Sequence, residues 1–276
     1  MTLARNPHAT GATPVVELRN LTVSYRQHPA LHHLNGSFAS GSLTAVIGPN
    51  GAGKSTLIKT IAGLLPSQGA LQIHLPGHRL AYLPQLSELD RSFPMCVHDC
   101  VLLGGWSLTG AFGGVSPVMR ARTIAALRTV GLQGFENRPV GTLSSGQMQR
   151  LLFARLLVQD AQLILLDEPF NAVDSKTTAA LLELVLQWHR EGRTVVAVLH
   201  DDAQVLRYFP QTLMLARECI AWGPTAEVLT ERNWQRARAM AEAWDETATV
   251  CDRNGSLNGQ DFETLLAQRL SSNVQA

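Results

Sequence analysis

The sequence predicts an α/β protein with a mostly parallel sheet, interrupted by a helical insertion. Three observations predict it. First, Leu43-Thr44-Ala45-Val46-Ile47 is apolar enough for a buried strand. It runs into the glycine-rich stretch Gly48-Pro49-Asn50-Gly51-Ala52-Gly53-Lys54-Ser55-Thr56, and Leu57-Ile58-Lys59-Thr60-Ile61 then opens a helix. Second, Leu163–Leu166 and Thr194–Leu199 are continuous apolar runs, which suit strands covered on both faces. Third, a helix-rich block at about 86–158 lies between strand-rich parts.

Val15 to Tyr25 alternates apolar and polar residues, as a half-buried strand does. Leu31 to Phe38 reads as a second strand and Gly41-Ser42 as a turn. The helix after the glycine-rich loop is expected to end near Gly63, ahead of Pro66. Leu71 to Leu75 and Leu80 to Leu83 read as short strands around a hairpin turn flanked by His74 and His78, and His32-His33 reads as a solvated turn. Beyond Pro84-Gln85, helices are expected at Val97 to Leu103, at Pro117 to Val130, and from Ser145 or Gly146 to about Val158. The glycine-rich loop Gly104 to Gly114 separates the first two. Ser175 to His189 is helical, and Thr212 to Ala216 with Ile220 to Trp222 suggests a late hairpin. Asn233 to Trp244 is a charged amphipathic helix, and Gln260 to Leu270 a last short one. The expected organisation is a flexible N-terminus at 1–14, one main domain at 15–231 and a C-terminal extension at 232–276.

At 276 residues the chain is long enough for a substantial core, and a formal charge of +1 gives no global field for nucleic acid or an anionic surface. Cys96, Cys100, Cys219 and Cys251 are scattered and no second pair or nearby His completes a zinc set, so they read as reduced cysteines of a cytoplasmic protein. Residues 1–14 lack the apolar core of a signal peptide. No window approaches the ~20 apolar residues of a membrane span. Any membrane role therefore needs spanning helices from another chain.

The chemistry starts at Gly48–Thr56, which matches G-x-x-x-x-G-K-S/T between a strand and a helix. Glycines let backbone N–H groups turn inward on phosphate oxygens, and the helix N-terminus adds partial positive charge. Lys54 is placed for the β- and γ-phosphates and Ser55 for Mg²⁺, so the motif binds a nucleoside triphosphate. Asp167 ends an apolar strand and is placed to hold Mg²⁺; Glu168 follows and is placed to act as general base on water. Leu143-Ser144-Ser145-Gly146-Gln147 puts hydroxyls and a glycine at a helix start, which suits a γ-phosphate but taken alone is equally an ordinary N-cap. His200 ends the strand Thr194–Leu199 and takes its weight from this company. In the tail, Asp252, Asn254, Ser256 and Glu263 copy the spacing of a calcium loop, but Leu257 stands where glycine is required, so calcium is not expected.

Taken together, Tyr25, Gly48–Thr56, Gln85, Leu143–Gln147, Leu163–Glu168, Ala172-Val173-Asp174 and His200 stand in an order and spacing that resemble the ATP-binding subunits of ABC transporters, over about residues 15–230. One departure is Ser145, where that family usually has glycine; it is tolerable if φ stays negative. The resemblance implies a P-loop NTPase (RecA-like) core, an N-terminal antiparallel β subdomain and an inserted helical subdomain. It implies ATP and Mg²⁺ as cofactors and a head-to-tail dimer of two copies. The implied roles are adenine stacking by Tyr25, phosphate binding by Gly48–Thr56, and Mg²⁺ and water handling by Ser55, Gln85 and Asp167. Glu168 is then the base and His200 the switch. Ser144, Gly146 and Gln147 act on the other copy's nucleotide, and Asp174 couples the two sites.

Tyr82-Leu83-Pro84-Gln85, Asp90, Phe93-Pro94, Val97-His98-Asp99, Asp167–Asp174 and Ala221-Trp222-Gly223-Pro224 further resemble the zinc/manganese/iron importers of that family. This implies a peripheral subunit on the cytoplasmic face of the bacterial plasma membrane, bound to membrane-spanning permease subunits. A periplasmic or extracellular solute-binding protein joins indirectly, and no nucleic acid is involved. Met95, Cys96 and Val97 are candidate permease contacts. An iron-siderophore or cobalamin importer shares much of the pattern. A non-transport ABC-type ATPase would bring a second unit or long coiled-coil insertions, absent here, and a small-molecule P-loop kinase would not need the Ser144 segment or His200.

Overall fold

The computed structural model describes residues 13–25, 28–75, 80–106 and 114–242, with the backbone alone at Tyr25 and His28. The expectations for residues 1–12, His78, Cys251, the calcium-like run and the last helix lie outside these residues. In chain order the elements are β1 (Pro14–Tyr25), β2 (His28–Ala39), β3 (Leu43–Ile47), α1 (Lys54–Ile61), β4 (Gln68–Ile73) and β5 (Leu80–Leu83). Then come α2 (Val97–Leu102), α3 (Pro117–Thr129), α4 (Ser145–Gln159), β6 (Leu163–Asp167), α5 (Ser175–Arg190) and β7 (Thr194–Val198). The chain continues with α6 (Asp202–Tyr208), β8 (Gln211–Ala216), β9 (Glu218–Pro224), α7 (Thr225–Val228) and α8 (Glu231–Glu242).

The central sheet has the order β5-β6-β7-β3-β8-β9, parallel throughout except for β9, which returns antiparallel to β8. Every residue of β3, β6 and β7 is buried, which is why their apolar runs show no alternation. Their side chains still alternate between two cores. Ala45, Ile164, Leu166 and Ala197 face the helices α2–α5, while Val46, Leu163, Leu165 and Val198 face α1 and the N-terminal strands.

The second sheet, β2-β1-β4, is antiparallel. Leu18 and Leu21 are both buried although they are three apart in sequence. A bulge reconciles them: Asn20 takes φ 52° and the register with β2 shifts between Leu18 and Leu21. Opposite it, His33 takes φ 49° and its N–H donates to Thr22 Oγ1 at 3.1 Å. His32-His33 is therefore not a solvated turn; both residues lie inside β2. A second correction concerns β4 and β5, which form no hairpin. The polar edge strand β4 pairs with β1, and the apolar β5 pairs with the buried β6 from Leu80↔Leu163 to Leu83↔Leu166.

The inserted block is helical as expected. Ser116 caps α3 by accepting from Met119 N–H at 3.1 Å, with Pro117 in the first turn. In α4, Leu151, Phe153 and Ala154 are fully buried. The insertion shares one core with the sheet rather than forming its own. The Phe153 ring stacks on Trp188 of α5 with centroids 5.7 Å apart and planes 9° from parallel. Val97 is fully buried at the start of α2, so of Met95, Cys96 and Val97 only the first two present surface. α8 starts where the C-terminal extension is expected, and it buries Ala237 and packs Trp234 and Met240 on the core.

The Phe153–Trp188 stack is the largest aromatic link between the insertion and the sheet helices among the described residues. Phe153→Ala is expected to cost about 3–5 kcal/mol through the cavity it leaves. Urea unfolding should show a lower midpoint at an unchanged slope. A shift worth less than about 1 kcal/mol would mean that this contact does not hold the insertion in place.

Candidate nucleotide site

The glycine-rich loop connects β3 to α1 and encloses a cleft of about 290 Å³ lined by residues 50–56, Ala30 and Glu168. Two glycines make its path possible. Gly48 has φ +145°, and a Cβ there would lie 2.0 Å from the Leu215 carbonyl oxygen; Gly53 has φ +88°, and its Cβ would lie 2.4 Å from the Ala30 oxygen. Gly53 is also the residue from which α1 starts, so the helix's free N–H groups open on the cleft. The Lys54 ammonium folds back over the loop and donates to the Gly48 and Pro49 carbonyls, each at 2.9 Å. Burial lowers the Lys54 pKa, and the Glu168 and Asp167 carboxylates offset this in part. A phosphate in the cleft would favour the charged ammonium further.

Asp167 ends β6 and Glu168 follows it, beside this loop. The Ser55 hydroxyl donates to Asp167 Oδ1 at 2.9 Å. Asp167 is fully buried, and its Oδ2 finds no donor among the described residues. Burial pushes the carboxyl up to about 6, with the Ser55 hydrogen bond pulling it down and the neighbouring Glu168 adding to the rise. A hydroxyl and a carboxylate oxygen that wants a partner are hard donors, and they fit Mg²⁺.

Glu168 takes φ 50°, unusual for a residue with a Cβ, and this turns its side chain to the cleft. Three side chains meet its carboxylate. Gln85 Nε2 donates to Oε2 at 2.7 Å, Asn171 Nδ2 to Oε2 at 2.9 Å, and His200 Nε2 to Oε1 at 2.8 Å. Burial raises the Glu168 pKa, but the hydrogen bonds from His200 and Asn171, the His200 charge and the Gln85 bond outweigh it and hold the carboxyl below its usual range. An ionised, oriented carboxylate beside a phosphate-sized cleft is equipped to take a proton from water.

The structure thus brings together Lys54, Ser55, Gln85, Asp167, Glu168 and His200. It does not bring the Ser144 segment to the same cleft. Ser144 caps α4, accepting from Gln147 N–H at 3.2 Å, while Gln147 Oε1 accepts from Ser144 N–H at 3.0 Å. Ser145 is absent from the residues with positive φ, so its side chain brings no backbone strain. Asp174 caps α5 through Thr177 N–H and hydroxyl, at 2.9 and 2.8 Å, which lowers its pKa. Tyr25 is the last residue of β1.

Sequence reasoning missed Asn171 and Gln149 as site residues. Asn171 sits in a loop, where no periodicity marks a donor. Gln149 did leave a signal: it shares the helical stripe of Leu152 and Leu156 and is only 1% exposed. Its Nε2 donates to the Pro169 carbonyl at 2.6 Å.

Known proteins resemble this chain over most of its length. The family model described as ABC transporter matches residues 31–171. The chain is 38% identical over 229 residues to the manganese transport system ATP-binding protein MntB of Listeria monocytogenes, covering 80% of this chain and 95% of that protein. It is 40% identical over 228 residues to the zinc transport system ATP-binding protein TroB of Treponema pallidum, covering 80% and 86%. A bacterial ABC transporter cassette solved as a dimer superposes with a TM-score of 0.67 at 28% identity, covering 76% of this chain and 98% of that one. This chain belongs to the ABC transporter family as one of its ATP-hydrolysing, ATP-binding subunits.

Proposed function

We propose that this chain hydrolyses ATP, with Glu168 as general base, to power a membrane importer of a transition metal, manganese or zinc. The carrying observation is the Glu168 carboxylate held by Gln85, Asn171 and His200 beside the glycine-rich cleft. The cargo is read from the relatives' names, which are those of manganese and zinc transport systems.

In this reading the N–H groups of residues 50–56 and the Lys54 ammonium bind the phosphates, and Tyr25 stacks on adenine. Bound Mg²⁺ would neutralise phosphate charge, and Ser55 and Asp167 are the residues that would hold it. Glu168 accepts the proton of the attacking water, which Gln85 and His200 help to orient. The cleft is incomplete in one copy. Ser144 and Gly146 of a second copy supply a helix N-terminus to the γ-phosphate, so the closed dimer is favoured only while that phosphate is intact. Asp174, which caps α5 at the end of the loop after Glu168, ties one site to the other. Among the described residues no helix is long and apolar enough to cross a membrane. In this reading, which rests on the relatives' place in transport systems, the chain works as a peripheral subunit on the cytoplasmic face. It docks on permease subunits through the partly exposed Met95 and Cys96, and a solute-binding protein delivers the metal from outside.

Glu168→Gln should keep ATP binding, slow hydrolysis by about 10²–10⁴, the worth of a general base, and trap an ATP-bound dimer seen as a mass shift on gel filtration. Near-normal turnover would sink the assignment. Pull-down of the full chain from native membranes should recover a multi-span permease. Recovery of no membrane protein, with activity responding to nucleic acid or a small phosphoryl acceptor, would overturn the transport reading.

A further inference from the structure

Gln149 lies on the buried side of α4, in a stripe where a leucine or methionine would pack as well. A polar side chain in such a place is costly unless its hydrogen bonds are satisfied. Gln149 is half satisfied: its Nε2 donates to the Pro169 carbonyl at 2.6 Å, and its Oε1 is buried with no donor among the described residues. What the side chain holds explains its presence. Pro169 directly follows Glu168, the residue with φ 50° whose carboxylate faces the cleft. Fixing the Pro169 carbonyl anchors the peptide unit between Pro169 and Phe170, one residue beyond this strained position. The start of α4 also runs near the far end of the same segment: the place a Cβ at Gly146 would take is 3.8 Å from Asp174 Oδ2. α4 therefore holds the 168–174 segment by a directional hydrogen bond at Pro169 and passes close to its other end at Asp174.

We propose that Gln149 is a positioning residue: it transmits displacement of α4 to the backbone at Pro169 and so sets the aim of the Glu168 carboxylate. The α4 N-terminus meets the nucleotide of the second copy, whereas Glu168 serves the chain's own. Gln149 thereby makes hydrolysis at one site depend on engagement at the other, by a contiguous packed path. This inference rests on Glu168 being the base and on the head-to-tail dimer.

The test uses the full chain with Gln149→Met, which keeps the volume and removes both the donor and the orphaned acceptor, and with Gln149→Leu as a second variant. Expected is a fall in kcat on the order of ten- to a hundredfold, as a slightly misplaced catalytic group gives. The KM for ATP should stay within about twofold, because the interaction lost is one that serves the reacting state. ATP-dependent dimer formation should persist when Gln149→Met is combined with Glu168→Gln. An unchanged kcat in both variants overturns the proposal. So does loss of ATP binding together with turnover in both, since Gln149 then serves the fold alone. If Glu168→Gln by itself leaves turnover untouched, the base assignment fails and this inference falls with it; a slow Glu168→Gln beside a normal Gln149→Met removes only the role of Gln149.

Discussion

The Glu168 carboxylate is the point on which the site depends. Its backbone stands in the left-handed region, which costs about 1–3 kcal/mol for a residue with a side chain and persists only where the surroundings over-determine it. They do so here. β6 is buried along its whole length and fixes the residue before; Gln149 fixes the carbonyl after; Gln85, Asn171 and His200 fix the side chain. The donors come from three different places in the chain. Gln85 follows β5 at the entrance to the helical insertion, Asn171 lies between β6 and α5, and His200 follows β7.

These places converge because of the strand order. β5, β6, β7 and β3 are adjacent and parallel, so the segments that leave their carboxyl ends all emerge on one edge of the sheet. The glycine-rich loop leaves β3, Asp167 ends β6 with Glu168 just beyond it, and His200 trails β7. A parallel sheet requires crossover connections, and each crossover is free to carry a helix or, after β5, a whole helical insertion. The insertion shares the sheet's own core through Phe153 and Trp188, yet its α4 N-terminus stands away from the cleft in the same copy. Each copy thus has one phosphate-sized cleft and a helix N-terminus elsewhere, which is the arrangement a head-to-tail pair would use.

Much of this was legible in the residues. Strands buried on both faces announced themselves as unbroken apolar runs, and the loop Gly48–Thr56 needed only its flanking strand and helix to be recognised. The misreadings share a cause: local pattern cannot say which strand pairs with which. A proline and a glycine between Leu71–Leu75 and Leu80–Leu83 looked like a hairpin, but burial decided the pairing, sending the apolar strand to β6 and the polar one to the edge of β1. His32-His33 looked like a turn because two polar rings interrupted a strand pattern; the bulge opposite Asn20 absorbs them without ending the strand. Asn171 and Gln149 were illegible as parts of a site for a different reason. Each acts through a contact with the loop after β6, and such a contact leaves no periodic trace, although Gln149 did break an apolar stripe.

Ser145 completes the physical picture of α4. The helix is capped by a reciprocal pair, Ser144 with Gln147, and Ser145 takes no part in it. At the first helical position with negative φ, a serine in place of glycine narrows the unfolded chain's freedom without straining the folded one, a gain of about 0.4–1 kcal/mol in favourable cases. Serine at this position therefore favours the folded first turn of the helix. A helix whose first turn is already formed presents its N–H groups in fixed directions before any phosphate arrives, and a stiff helix passes displacement along its axis instead of absorbing it in a frayed end. On the proposed reading, a preformed first turn at Ser145 and the bond from Gln149 to Pro169 act in the same sense: both would make the segment after β6 follow α4 as a unit.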